Sequence, residues 1–132
     1  MPCLRLGTLK TKKHTFQPPI IDGYKKYTGT TGSSLKGGCG LYISDDLKPL
    51  PRKDLNIKLR ENDFEMETCW YEIVLDKQTN RLIGVVYRHP SKINDLKSSE
   101  LLNSTLSKIK KENKKALLVG DFNYNLLIHD KK

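Results

Sequence analysis

Thr68-Cys69-Trp70-Tyr71-Glu72-Ile73-Val74-Leu75, followed by Asp76-Lys77-Gln78-Thr79-Asn80 and then Arg81-Leu82-Ile83-Gly84-Val85-Val86-Tyr87, is the stretch on which the fold turns. Both flanks are rich in β-branched and aromatic side chains, which suit a pleated, half-buried surface. The segment between them is polar, so the whole reads as an antiparallel hairpin. Downstream, Leu102, Leu106 and Ile109, flanked by Leu101, fall four and three apart on one helical face. Lys108, Lys110, Lys111, Lys114 and Lys115 gather where a helix dipole is negative, which predicts a helix from about Asp95 to Glu112. Ala116-Leu117-Leu118-Val119 is a continuous apolar run of strand length and is expected to be a strand covered on both faces.

Upstream of the hairpin, Gly37-Gly38-Cys39-Gly40 leads into Leu41-Tyr42-Ile43-Ser44, a short β-prone run stopped by the turn formers Asp45-Asp46. Leu47 to Asp63 mixes charges with Pro49 and Pro51 and is expected to cross the end of a sheet. Ile20 to Tyr27 contains a turn at Asp22-Gly23, and the Gly, Ser and Thr of Thr28 to Lys36 predict a loop. Met1 to Pro19 has no sustained period and reads as a loop or remnant strand with a basic tail. The chain thus divides into a basic arm, 1–19, and a layered α+β domain, 20–132.

Composition narrows the function classes. A chain of 132 residues, 36% hydrophobic and 30% charged, suits a single domain with its own core. No stretch approaches the roughly 18 uninterrupted apolar residues of a membrane span, and no signal-peptide pattern follows Met1, so no membrane partner is expected. The expected location is intracellular, with the nucleus included. Cys3, Cys39 and Cys69 are odd in number and widely separated, which predicts free thiols. His14, His89 and His129 are equally scattered, so no metal ligand is assigned from spacing. The net charge of +9 favours a polyanionic partner. Within residues 1–40 the cations Arg5, Lys10, Lys12, Lys13, Lys25, Lys26 and Lys36 face a single acid, Asp22, and Lys12 and Lys13 make this arm a candidate nucleic-acid contact.

Gly120-Asp121-Phe122-Asn123 follows the apolar run, where a sheet fixes the backbone and a loop exposes polar groups. If the extended conformation continues, Asp121 and Asn123 project to one side and Phe122 to the other. A carboxylate that handles a proton beside a carboxamide that binds a phosphoryl oxygen suits phosphodiester hydrolysis. Val85-Val86-Tyr87-Arg88-His89-Pro90 likewise places polar groups after a β run. Tyr87 can donate its hydroxyl to a phosphate, and Arg88 can bind one through its fork of donors. The competing structural readings are an Asp-Asn turn after a strand and an ordinary aromatic at a strand end.

In order and spacing these motifs resemble the endonuclease/exonuclease/phosphatase superfamily, and within it the apurinic-type endonuclease domain of LINE-type (non-LTR) retrotransposons. The resemblance runs from about Ile20 to Asp130. It rests on Gly23-Tyr24, Gly37-Gly38-Cys39-Gly40-Leu41-Tyr42-Ile43, Asp45-Asp46-Leu47, Trp70-Tyr71-Glu72-Ile73, Ile83-Gly84-Val85-Val86-Tyr87-Arg88 and Leu117-Leu118-Val119-Gly120-Asp121-Phe122-Asn123. It implies an incomplete DNase I-like α/β/β/α sandwich, a DNA substrate and a divalent cation such as Mg²⁺. It also implies that Asp121 activates the attacking water or assists the leaving group, that Asn123 binds the scissile phosphate, that Tyr87 supports phosphate binding and that Trp70 is structural.

The chain departs from the family at two places. Gly7, in Leu6-Gly7-Thr8, stands where the metal-binding Glu is expected, and the C-terminal Asp and Ser-Asp-His segment have no counterpart; His129-Asp130 follows Asp121 too closely. The expectation is therefore a partial endonuclease domain with little or no cleavage activity, prone to self-association through exposed sheet edges. The alternative is a non-catalytic nucleic-acid-binding module using its basic surface. A relative acting on small phosphoesters or phosphoinositides is a third reading.

Overall fold

The computed structural model describes residues 5–8, 19–28, 39–61, 64–77, 79–90 and 95–124. Among them the strands run in chain order as β1 (Arg5–Thr8), β2 (Tyr24–Thr28), β3 (Cys39–Ser44), β4 (Lys48–Pro51), β5 (Lys58–Glu61), β6 (Phe64–Val74), β7 (Arg81–Arg88) and, after the helix α1 (Asp95–Lys111), β8 (Ala116–Asp121). The expected hairpin is the β6–β7 pair, with Cys69 opposite Val85 and Trp70 opposite Gly84. A side chain at position 84 would stand 2.6 Å from the Trp70 ring, so the glycine makes room for the indole. Trp70 is itself 1% exposed, as expected of a core tryptophan.

At 11 residues β6 is long enough to carry two short strands on one edge. β4 pairs with its second half and β5 with its first, and a 3₁₀ turn, Lys53–Leu55, joins them. The segment expected to cross the end of the sheet therefore extends the sheet instead. Pro49 and Pro51 are tolerated because β4 lies at an edge, where a missing N–H costs no ladder bond. On the opposite side β8 runs parallel to β7, which completes a five-stranded sheet. The second sheet is three-stranded, β1-β3-β2, and antiparallel. Tyr24–Thr28, expected as part of a turn and loop region, is thus a strand, and within the segment expected as a loop or remnant strand Arg5–Thr8 is a strand.

The two sheets pack face to face. Cys39, Leu41 and Ile43 from β3 meet Cys69, Tyr71, Ile73, Ile83 and Val85 from the hairpin. The other face of the larger sheet is covered by α1: Leu101 and Leu102 pack toward Met66 and Val86, and Ile109 joins Trp70 and Leu82. The described residues therefore form a mixed α+β arrangement of helix, sheet and sheet. The buried helical stripe departs from expectation, since Ser98 and Thr105 are buried beside Ile109 while Leu106 is 39% exposed. β8 departs as well. It is a sheet edge, and Leu117 is 51% exposed, so this strand is covered far less than its apolar composition suggested.

An ion network fastens the layers at one end. The Arg52 guanidinium donates to Glu72 at 3.0 Å, to Glu112 at 2.5 Å and to Asp54 at 2.7 Å, while the Lys114 ammonium reaches Glu72 at 2.6 Å and Glu112 at 3.1 Å. It links the β4–β5 connection, β6 and the end of α1. Hydrogen bonds from Arg52 and Lys114 hold the Glu112 carboxyl down at about 2. Arg52 lowers Asp54 in the same way. For Glu72, burial pulls upward, but Lys114, Asn80 and Arg52 together outweigh it and the net direction is downward.

Carboxylates whose folded pKa lies below the unfolded value add stability above the unfolded pKa and lose it as pH falls through the folded one. Urea midpoints are therefore expected to drop as pH goes from about 5 toward about 2, the window set by the ordinary carboxylate range and the Glu112 value. Arg52→Ala is expected to remove about 2 kcal/mol at neutral pH and to flatten that acid dependence. An unchanged pH profile in the variant would exclude the network as its source.

Candidate active site

The parallel β7–β8 register sets Tyr87 beside Asp121, and the antiparallel β6–β7 register sets Glu67 on the other side of Tyr87. Strand neighbours in register share a face, so Glu67, Tyr87 and Asp121 form a row across three strands on the side that faces the smaller sheet. Glu67 is 3% exposed, Tyr87 is half-buried and Asp121 is exposed. Burial, then the negative charges of Glu65 and Asp121, raise the Tyr87 phenol above its ordinary value. At neutral pH that hydroxyl keeps its proton and remains a donor.

Asp121 owes its place to Gly120. This residue has φ +140, and a Cβ there would lie 2.0 Å from the Val86 carbonyl oxygen. The backbone of β8 comes this close to β7 because position 120 has no side chain.

The strand ends at Asp121, and the extended conformation expected through Asn123 does not continue. Asn123 has φ 48, a left-handed conformation that Asn tolerates better than most residues. Its side-chain amide turns back and donates to the Arg88 carbonyl at 2.6 Å. Asn123 is therefore brought to the end of β7, near Tyr87 in sequence, by a turn and not by strand alternation.

Arg88 is found inside. It is 1% exposed, its Nη1 donates to the Asn123 carbonyl at 2.8 Å, its Nε donates to Ser98 Oγ at 3.2 Å, and its guanidinium lies 4.2 Å from the centroid of the Tyr124 ring. Ser98 Oγ and the Tyr124 hydroxyl are 2.8 Å apart. A guanidinium this enclosed has no open face for a phosphate; it fixes the turn after β8 through hydrogen bonds and a cation–π contact. Lys12 and Lys13 lie outside the described residues.

The arrangement sets an exposed carboxylate beside a protonated phenol, and anchors the Asn123 carboxamide on the Arg88 carbonyl at the end of β7. Among the described residues no three His, Cys, Asp or Glu side chains converge as a metal would need. Gly7, on β1, offers no side-chain oxygen. A hard cation takes about six oxygen ligands anchored by carboxylates. This donor set does not fit a firmly held Mg²⁺.

A cleft of about 360 Å³ lies at the opposite end of the β7–β8 pair, lined by Leu47, Ile73, Leu75, Ile83 and Leu117 with Arg81 and Lys115 at its polar side. It is apolar and remote in register from Tyr87 and Asp121. The sequence did not single out Glu65, Glu67, Ser98 or Tyr124. Alternation along β6 carried a usable signal: Glu65 and Glu67 fall on the same face as Cys69, Tyr71 and Ile73, an inward parity that is unusual for carboxylates. Comparison of the chain with protein-family models, with curated proteins and with solved structures finds no match.

Proposed function

We propose that this chain is a partial DNA endonuclease domain of a LINE-type retroelement protein, an incomplete member of the DNase I-like fold, that binds DNA backbone and cleaves it weakly or not at all. The observation that carries this reading is the in-register pairing of Tyr87 with Asp121 at the ends of parallel strands. In the proposed site the Tyr87 phenol donates to a phosphoryl oxygen and the Asp121 carboxylate accepts a proton from water. Asn123, held by Arg88, offers the rest of its carboxamide to the same phosphate. A catalytic Mg²⁺ would stabilise charge on the leaving oxygen, but the donor set does not fit it. Hydrogen bonding without that charge stabilisation leaves cleavage slower by orders of magnitude.

Two measurements test this reading. The first is nicking of supercoiled plasmid in Mg²⁺ by the full chain and by Asp121→Ala: no difference above background is expected, and robust nicking abolished by the substitution would contradict catalytic impairment. The second is duplex binding against salt. Exposed cations such as Lys25, Lys26, Lys108, Lys110, Lys111 and Lys115 are expected to give affinity that falls steeply with salt and varies little with sequence.

The exposed lysines also support the alternative of a non-catalytic nucleic-acid-binding module, whose phosphate contacts then fall to them and not to the enclosed Arg88. The two readings separate at Tyr87→Phe, which should alter phosphate binding only if the proposed site engages DNA. Self-association belongs to the proposal as well. The β8 edge runs Ala116-Leu117-Leu118-Val119 without a proline or charge to blunt it. Sedimentation is expected to show mass rising with protein concentration, and a monomer throughout would exclude edge pairing.

A further inference from the structure

The two sheets touch through a pair of thiols. Cys39 opens β3 in the smaller sheet and Cys69 lies within β6 of the larger one, with their sulfur atoms 3.8 Å apart. The residues are 2% and 1% exposed and sit in one apolar cluster with Leu41, Tyr71 and Val85. That separation is van der Waals contact between sulfurs, so nothing stands between them. A disulfide needs a bond of about 2.05 Å, which side-chain rotation and a small approach of the sheets can supply.

We propose that Cys39 and Cys69 are a disulfide-forming pair that locks the two sheets together when the chain meets a two-electron thiol oxidant, a claim independent of any action on DNA. In the step, one thiol loses its proton and its thiolate attacks the oxidant, oxidised glutathione or diamide. The second thiolate then displaces the reduced oxidant from the mixed adduct and the Sγ–Sγ bond forms. Overall the two thiols give up two electrons and two protons, and the oxidant takes them as two glutathione thiols or as the hydrazine of diamide.

Reaction in the folded protein is slow. The hydrogen bond to Cys69 and burial push the Cys39 thiol well above its ordinary range, and the reactive species is the thiolate. During folding, before the sheets close, the pair is open to oxidant. The residues are 30 apart in sequence, so the bond removes substantial freedom from the unfolded chain. The expected rise in Tm is roughly 10 °C.

The test uses the full chain carrying Cys3→Ser, so that only this pair can react. One sample is refolded from urea in a glutathione redox buffer, and another is treated with diamide without unfolding. The expected product has lost two hydrogens by intact mass, yields one linked peptide containing Cys39 and Cys69, keeps the native circular dichroism, melts higher and reverts with dithiothreitol. Cys69→Ala abolishes it. Linkage in either sample with native structure and a raised melting temperature supports the proposal, including the case where refolding is inefficient. Alkylatable or singly glutathionylated thiols in both samples, or a linked chain that loses native structure or melts lower, overturn it.

Discussion

Arg88→Ala is expected to lower the unfolding free energy by about 3–4 kcal/mol, measured by urea denaturation at neutral pH. The guanidinium of Arg88, a residue 1% exposed, binds the Asn123 carbonyl and Ser98 hydroxyl and lies over the Tyr124 ring. Truncation takes the guanidinium from the part-buried Asn123 carbonyl, opens a cavity between α1 and the end of β7, and removes the anchor of the turn that follows Asp121. Arg88→Met refills much of the volume and separates the cavity from the hydrogen bonds. It is expected to recover about 1 kcal/mol of the loss. The same variants decide what Arg88 does for DNA. A residue gripping a phosphate contributes about 0.9 to the slope of log affinity against log salt. Under conditions where the variant is folded, that slope is expected to stay unchanged, because this cation is turned inward.

Gly120→Ala is expected to cost on the order of 3 kcal/mol or more, the sum of a backbone conformation reserved for glycine and a severe steric conflict. The added methyl would meet the Val86 carbonyl oxygen at 2.0 Å with φ at +140. Backbone cannot yield as a side-chain tip can, so the strand must shift away from β7. Hydrogen exchange should show β8 amides losing protection more than those of β6. Tyr87 should respond too, since Asp121 leaves its side. Equal loss of protection across the five-stranded sheet would indicate global destabilisation without the specific detachment of β8.

How much of this was legible in the sequence follows from the range of the forces involved. The β6–β7 hairpin and α1 could be read because their periodicity is local and sustained, and the structure places them at Phe64–Val74, Arg81–Arg88 and Asp95–Lys111. β4 was missed because Pro49 and Pro51 oppose a strand unless it lies at an edge, and edge position is a property of the whole sheet. β5 has one apolar residue, Leu59, in four positions, too few to show an alternation. The cover over β8 was overestimated for a related reason. An apolar run reports what a strand tolerates, and only the neighbours decide whether it is enclosed.

The candidate site divides in the same way. Tyr87 and Asp121 each stand at the end of a recognisable β run, and parallel pairing of those runs suffices to bring them together. Asn123 and Arg88 are different. Their geometry depends on Ser98 and Tyr124, which no local pattern connects to them, and on a left-handed residue that an Asp-Asn turn permits but does not require. The carboxamide therefore meets the end of β7 by a route the alternation rule did not anticipate. The arginine took the opposite side of the backbone from the phenol beside it, which is the side that α1 covers.

Pairing of the Tyr87 phenol with the Asp121 carboxylate is tested most directly by titrating the tyrosine ring carbons by NMR, with Tyr87→Phe assigning the signal, in the parent chain and in Asp121→Asn. The Tyr87 resonance is expected to titrate above the ordinary phenol range and to move down when the charge at 121 is removed, with burial and Glu65 retaining part of the shift. A Tyr87 signal that titrates at the ordinary value, or that ignores the loss of the carboxylate, would contradict the juxtaposition on which the nuclease-type site is built.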